Sequence, residues 1–415
     1  MNTLHQKINV ERIMQRIDKL AECSSTDYGV TRLSFTKESE AAAELVSQWM
    51  RDAGMSVRRD QLNNLIGRYE GKHSDAPVLI IGSHLDSVVH AGKYDGILGV
   101  ISGIEVVQTL FENGVQPDTP IEVVAFCDEE GARFHTTLLG SRAMAGSLRD
   151  EDFEAEDEKG TTLASSIREL GLDPSAYRLA ARDPKTIKGY IELHIEQGPV
   201  LEQLDQACGV VVGIAGASRY EFRVEGSAGH AGTVPMALRK DALVGASEMI
   251  QAIERITLQY ENVVATVGKL TVTPGASNVI PGTVKGTLDI RSIEDEQRHE
   301  ALKLIVEECE RISQRQGLSC YFYKIMESSA VSCSNSFMNV ISTVLEMHDI
   351  IPFEIVSGAG HDAMAMAAIA EIGMIFVRCK EGISHHPAEE VTGEDMQKAA
   401  SVLLDTVVKL TASID

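Results

Sequence analysis

The sequence predicts an α/β fold, a mixed and mostly parallel sheet with helices on both faces, interrupted by a smaller inserted domain. Three observations predict it. Short apolar runs of strand length, Val78-Leu-Ile-Ile81, Ile121-Glu-Val-Val-Ala-Phe126, Tyr190-Ile-Glu-Leu-His-Ile-Glu196 and Met374-Ile-Phe-Val-Arg378, alternate with helical stretches. Between them lies a stretch whose order reads β-α-β-β-α-β. At 415 residues the chain is long enough for two domains with sizeable cores.

Taken in order, residues 1–55 read as helical, with apolar positions at helical spacing from Glu38 to Met50 and Gly54 as a C-terminal cap. Residues 56–70 alternate as a hairpin broken at Asn63-Asn64. After the run 78–81, Gly96–Phe111 is a mostly apolar helix whose Gly96, Gly99 and Gly103 allow close packing on a sheet. The acidic run from Asp150 to Lys159 reads as a solvated surface segment. The glycine- and valine-rich stretch Gly209–Gly216 lacks the Gly-Lys-Ser/Thr of a phosphate loop and reads as a hinge. Beyond it come strand 218–225, helix 237–256, strands 263–272 and 282–291, helix 294–316 and strand 318–325, a ferredoxin-like unit. Helix 335–347, the Gly-rich loop Ser357–His361, the strand 374–378 and a closing helix from Gly393 to about Leu410 return to the first texture. The main domain is therefore expected to be discontinuous, 1–213 with 331–415, around an insert at 214–330.

Composition narrows the partners. A net charge of −23 repels phosphate backbones, which argues against nucleic acid. No apolar run reaches the roughly 18–20 residues of a membrane span. The N-terminus has no apolar signal core, so a cytoplasmic protein is expected. The seven cysteines contain no CxxC pair, and Cys127 and Cys379, in or beside apolar strands, read as core filler.

In open α/β sheets chemistry collects outside the carboxyl ends of strands. His84 and Asp95 follow the first run, Asp128-Glu129-Glu130 the second, His194 and Glu196 end the third, and Ser384-His385-His386 follow the fourth. A lone histidine at such a place, His194, His361 or His385, is ordinarily a hydrogen-bonded core residue. Together His84, Asp95, Glu130, His194 and His385 exceed the three or four ligands of one zinc ion. With one carboxylate bridging, they suit two ions about 3.5–4 Å apart. Glu129 and Glu130, adjacent in an extended segment, are expected to point to opposite sides. One would bind metal, and the other would serve as base toward a water whose pKa the metal lowers.

The motifs Gly82-Ser-His-Leu-Asp-Ser-Val88, Tyr94-Asp-Gly96, Asp128-Glu-Glu-Gly-Ala-Arg-Phe134, Glu192-Leu-His-Ile-Glu-Gln-Gly-Pro199, His230-Ala-Gly-Thr-Val-Pro-Met236, Asn278-Val-Ile-Pro281, Asp289-Ile-Arg291 and Gly382-Ile-Ser-His385 run in order over nearly the whole chain. In them the sequence resembles the amidase, hydantoinase and carbamoylase branch of the M20-type metallohydrolases. That branch includes N-carbamoyl-L-amino acid hydrolases, allantoate amidohydrolases and β-ureidopropionases.

The resemblance implies a zinc-aminopeptidase-like catalytic domain and a lid that also dimerises. It places His84 and His194 on one metal, Glu130 and His385 on the other, with Asp95 bridging and Glu129 as general base. His230 would stabilise the tetrahedral intermediate, reaching a neighbour's site across a homodimer. Asn278 and Arg291 would hold a substrate carboxylate, with Gln197 near the scissile group. The implied cofactor is two divalent ions, zinc first, with manganese, cobalt or nickel as alternatives. The implied reaction cleaves the ureido bond of an N-carbamoyl-L-amino acid, with allantoate hydrolysis and then peptidase or aminoacylase activity as alternatives. Two departures stand out: His386 beside His385, where relatives carry Asn or Ser, and Gly229 before His230, where many carry a carboxylate.

Overall fold

Four of the apolar runs form adjacent parallel strands, and a computed structural model describes them within residues 7–412. Their order across the sheet is Ile121–Phe126, Val78–His84, Ile187–Ile195 and Ile372–Val377. Each of these pairings is parallel. Parallel strands buried on both faces need apolar residues at nearly every position, which is the sequence pattern noted above. Outside this centre the pairing turns antiparallel. On one side lie Leu65–Tyr69 and Ser56–Arg59, and on the other Cys208–Ile214. The glycine- and valine-rich stretch expected to be a hinge forms most of this last strand and also holds the boundary between two compact units, at Val212 and Gly213. Its glycines allow close approach: a Cβ on Gly209 would lie 3.1 Å from Leu201.

One sheet face packs against the helices Val10–Ala21, Ile97–Glu112, Asn335–Met347 and Gly393–Thr411. The strands contribute alternate residues to it, among them Leu79, Ile81, Val123, Ile191, Leu193 and Ile375. Gly99 explains how closely Ile97–Glu112 can lie. A Cβ there would sit 2.3 Å from the carbonyl oxygen of Leu193. The acidic run lies at the surface as expected, with Asp150, Glu151, Glu154, Glu156 and Glu158 exposed and Asp152 and Asp157 partly covered. Asp150 pairs with Arg178, Asp152 with Arg142 and Asp157 with Arg133.

The chain divides into two compact units, one running to Val212 and resuming at Cys333, the other Gly213–Ser332. The second carries Gly216–Glu225, helix Ala242–Thr257, strands Val263–Thr266, Leu270–Thr273 and Thr283–Ser292, helix Asp295–Gln316 and strand Ser319–Ser328. Its sheet is antiparallel, in the order Leu270–Thr273, Thr283–Ser292, Gly216–Glu225, Ser319–Ser328. The predicted strand 263–272 is two short strands, both paired with Thr283–Ser292. Among the described residues no helix is long and apolar enough to cross a membrane.

Candidate metal centre

The carboxyl ends of the four parallel strands lie side by side, and the candidate ligands project from them. His84 is the last residue of its strand and His194 the penultimate residue of its own. Asp95 sits immediately before helix Ile97–Glu112, where Gly96 adopts φ +70° and a Cβ would lie 2.4 Å from His84 Nε2. Only glycine both accepts that backbone conformation and leaves room for the imidazole.

Asp95 is the centre of the arrangement. Its Oδ1 lies 3.0 Å from His194 Nε2 and 3.6 Å from His84 Nε2. Its Oδ2 lies 3.3 Å from His385 Nε2, which is 3.5 Å from Glu130 Oε1. His84, Asp95 and His194 offer ligand atoms within 4.8 Å of one another, and so do Asp95, Glu130 and His385. The two groups share Asp95, so the residues fit two cations with one carboxylate between them.

Two further observations support that fit. His84 Nδ1 is 3.0 Å from the carbonyl of Asp86, and His194 Nδ1 is 2.9 Å from that of Ile195. A carbonyl only accepts, so both Nδ1 atoms carry hydrogen, and in the neutral rings both Nε2 lone pairs face Asp95. Lone pairs aimed at a carboxylate oxygen repel unless a proton or a cation lies between. Glu130 Oε1 is also buried without a hydrogen-bond partner among the described residues.

The titration behaviour follows from this crowding. Burial works against ionisation of Asp95, but the field of His194 and hydrogen bonds from the three imidazoles hold its carboxyl well below the usual range. Burial disfavours charge on His84, yet the bond to Asp95 and the fields of Glu129 and Asp86 keep its pKa well above ordinary. The hydrogen bond to Asp95 raises His385 to about 9. Burial, reinforced by Asp95, pushes Glu130 to about 7. Burial also lifts Glu129 well above the carboxylate range, with His84 opposing and Glu130 adding.

Glu129 Oε2 lies 3.9 Å from His84 Nε2, and Glu129 and Glu130 form a third possible ligand group with His84. The expectation that these two carboxylates point to opposite sides is not met. The strand ends at Phe126, and Asp128 takes a left-handed φ of +58°, so strict alternation no longer applies. Both side chains reach one cluster. Glu196, also at a strand end, instead accepts the backbone N–H groups of Val200 and Leu201. His361 packs edge-on against His194, ring centroids 4.4 Å apart, and meets Ser357 Oγ at 2.7 Å. Glu192, His194 and His361 form a fourth group of close ligand atoms. His386 is in none of these groups, and its Nδ1 accepts the N–H of Ala388.

Gln197 Nε2 donates to Asp95 Oδ2 at 2.7 Å and to Ser384 Oγ at 3.0 Å, and Ser384 donates to the same Asp95 oxygen. His230, Asn278 and Arg291 belong to the second unit. There Val279 pairs with His230, and Ala231 N–H donates to the carbonyl of Asn278. Gly232 N–H donates to His230 Nδ1 at 3.0 Å, which leaves hydrogen on Nε2 when the ring is neutral. Arg291 grips Asp289 through Nε and Nη2, at 2.8 and 2.9 Å. The sequence reading gave no role to Asp86, whose two oxygens accept the N–H groups of Glu129 and Glu130 at 3.1 Å each. Its spacing of two from His84 was the available signal.

Comparison with known proteins places these features in a family. Residues 80–409 match the model of peptidase family M20/M25/M40. An N-carbamoyl-L-amino acid amidohydrolase of Geobacillus stearothermophilus is 46% identical, over 97% of this chain and 99% of that protein. An allantoate deiminase of Arabidopsis thaliana is 38% identical, over 97% of this chain and 82% of that protein. The crystal structure of an amidase of the hydantoinase/carbamoylase family from Burkholderia multivorans superposes with a TM-score of 0.93 at 33% identity, covering 99% of both chains.

Proposed function

The chain belongs to peptidase family M20/M25/M40, and we propose that within it the protein is a metal-dependent amidohydrolase cleaving the carbamoyl C–N bond of N-carbamoyl-L-amino acids. The observation that carries this reading is the sharing of Asp95 between two ligand groups, with the buried carboxyl of Glu129 beside them. The near-full-length similarity to an N-carbamoyl-L-amino acid amidohydrolase supports the substrate class.

His84 and His194 with one Asp95 oxygen would hold one divalent cation, and Glu130 and His385 with the other oxygen a second. Imidazole and carboxylate donors suit zinc, and also manganese, cobalt or nickel. Such cations, when bound, lower the pKa of water and polarise a carbonyl. Glu129, desolvated and high in pKa, accepts a proton from the attacking water and delivers it to the leaving nitrogen. Gln197, fixed through its amide nitrogen, presents its oxygen to the ureido group. Arg291 and Asn278 hold the substrate carboxylate, the Arg291 fork being oriented by Asp289. His230, donating through Nε2, stabilises the oxyanion.

The inserted unit serves as lid and as the surface through which a homodimer forms. Its strand Ser319–Ser328 leaves Tyr321, Tyr323 and Ile325 exposed, apolar area of the kind a partner covers. The seven cysteines are all free, in keeping with a cytoplasmic site.

The test is ammonia release from N-carbamoyl-L-methionine and from allantoate by protein stripped of metal and then reloaded. Metal-dependent release from the carbamoyl amino acid supports the reading. Release from allantoate alone favours the second reading, an allantoate amidohydrolase, which the 38% identical deiminase supports. Hydrolysis of peptides or acylamino acids alone would favour an M20-type peptidase or aminoacylase.

A further inference from the structure

Glu389 lies outside the ligand set, yet it is buried at 4% exposure against the loop that presents Asp95. Its Oε1 accepts two consecutive backbone N–H groups, from Tyr94 at 2.7 Å and from Asp95 at 3.1 Å. Its backbone belongs to a tight turn with His385. There Glu389 N–H donates to the carbonyl of His386, Ala388 N–H donates to His386 Nδ1, and His385 itself takes φ +56°. The fit to the facing loop is steric as well as polar. A Cβ added to Gly92 would lie 2.4 Å from the Cβ, Cδ and Oε1 of Glu389.

From this geometry we infer that Glu389 is a positioning residue that locks the shared carboxylate of Asp95 to the turn bearing His385, so that the second cation finds its ligands already in register. The inference rests on the two-cation reading above. In the first group His84 and His194 are set by two strand ends, and Asp95 Oδ1 alone is held through the loop that Glu389 contacts. The second group joins three separate segments, those of Asp95, Glu130 and His385, and Glu389 fixes two of them relative to each other. Freeing the turn should therefore weaken the second binding step and spare the first. Partners that orient ligands typically contribute about 10- to 100-fold in metal affinity.

The experiment titrates cobalt(II) into the metal-free full-length protein, following the visible ligand-field spectrum and the heat of binding. It compares wild type with Glu389→Ala, Glu389→Gln and Gly92→Ala, and records melting of each metal-free protein. Glu389→Ala is expected to weaken the second step roughly 10- to 100-fold and to alter its spectrum, with the first step within about threefold. Gly92→Ala, which keeps the carboxylate but displaces it, should show the same defect. Glu389→Gln, which keeps an acceptor oxygen at the same reach, should recover most of the second step. Identical two-step titrations in all four proteins would overturn the inference. So would a lowered metal-free melting temperature in Glu389→Ala accompanied by an unchanged spectrum and unchanged affinities, the mark of a purely structural residue. Failure of wild type itself to bind two cobalt ions would instead overturn the two-cation reading.

Discussion

His194 Nε2 faces Asp95 Oδ1 at 3.0 Å while its Nδ1–H is spent on the carbonyl of Ile195. The ring therefore presents Nε2 to a carboxylate, and that atom either donates a proton to Asp95 or turns its lone pair to a cation lying between them. The contact belongs to a cluster in which protons and cations compete for the same atoms.

That competition sets a pH dependence. In the metal-free protein His385 is raised to about 9. Its contribution to stability is full below the ordinary histidine value and is lost as pH climbs through 9. Glu130 is raised to about 7. Its ionisation disfavours the folded state, so stability also falls as pH rises from the ordinary carboxylate value to about 7, and levels off above it. Bound cations displace both protons. The gap in Tm between metal-loaded and metal-free protein should therefore widen from pH 6 to pH 9, read by calorimetry in both forms. A gap that narrows over this range would show that these two groups do not meet the metal.

Glu129→Gln should lower kcat by about 10²- to 10⁴-fold, the usual contribution of a general base. Glu129 lies next to the ligand groups without being needed by either of the two that share Asp95. Metal content after dialysis should stay at the wild-type value. Joint loss of metal and turnover would make Glu129 a ligand instead.

Asp86 bonds the backbone of both glutamates, and its own carbonyl fixes the tautomer of His84. Asp86→Asn replaces one acceptor oxygen by a donor facing an N–H. We expect metal affinity to fall roughly 10- to 100-fold, measured by competition with a chromogenic chelator. An unchanged affinity would reduce Asp86 to a loop residue.

Gly96→Ala meets a left-handed backbone and the His84 ring together. Strain of this kind costs roughly 1–3 kcal/mol, so thermal unfolding should shift downward, with metal content falling alongside. Loss of stability with full metal retention would mean that the loop, and not His84, absorbs the added methyl group.

The parallel centre of the fold was legible because buried strands need uninterrupted apolar runs, and the runs ending near His84 and at Phe126 announce themselves. The stretch 209–216 contains both most of a strand and the boundary between the two units at Val212 and Gly213, and glycine with valine suits either, so only the strand went unread. Glu354–Ser357, a short strand with alternating exposure, carried too weak a period to be found. The candidate ligands could be listed from strand ends, but the placement of Glu129 and Glu130 in one cluster depends on the left-handed turn at Asp128. Sequence periodicity does not register that turn. His385 and His386 were likewise separable only once the turn had committed the His386 ring to Ala388. Glu389 gave no signal at all, because its partners are backbone N–H groups nearly three hundred residues away.

The most direct test of the shared-carboxylate account is anomalous diffraction at the zinc edge from crystals of the zinc-loaded protein. The account expects two peaks per chain on either side of Asp95, one contacted by His84 and His194, the other by Glu130 and His385. A single peak, or peaks that leave Asp95 uncoordinated, would contradict it.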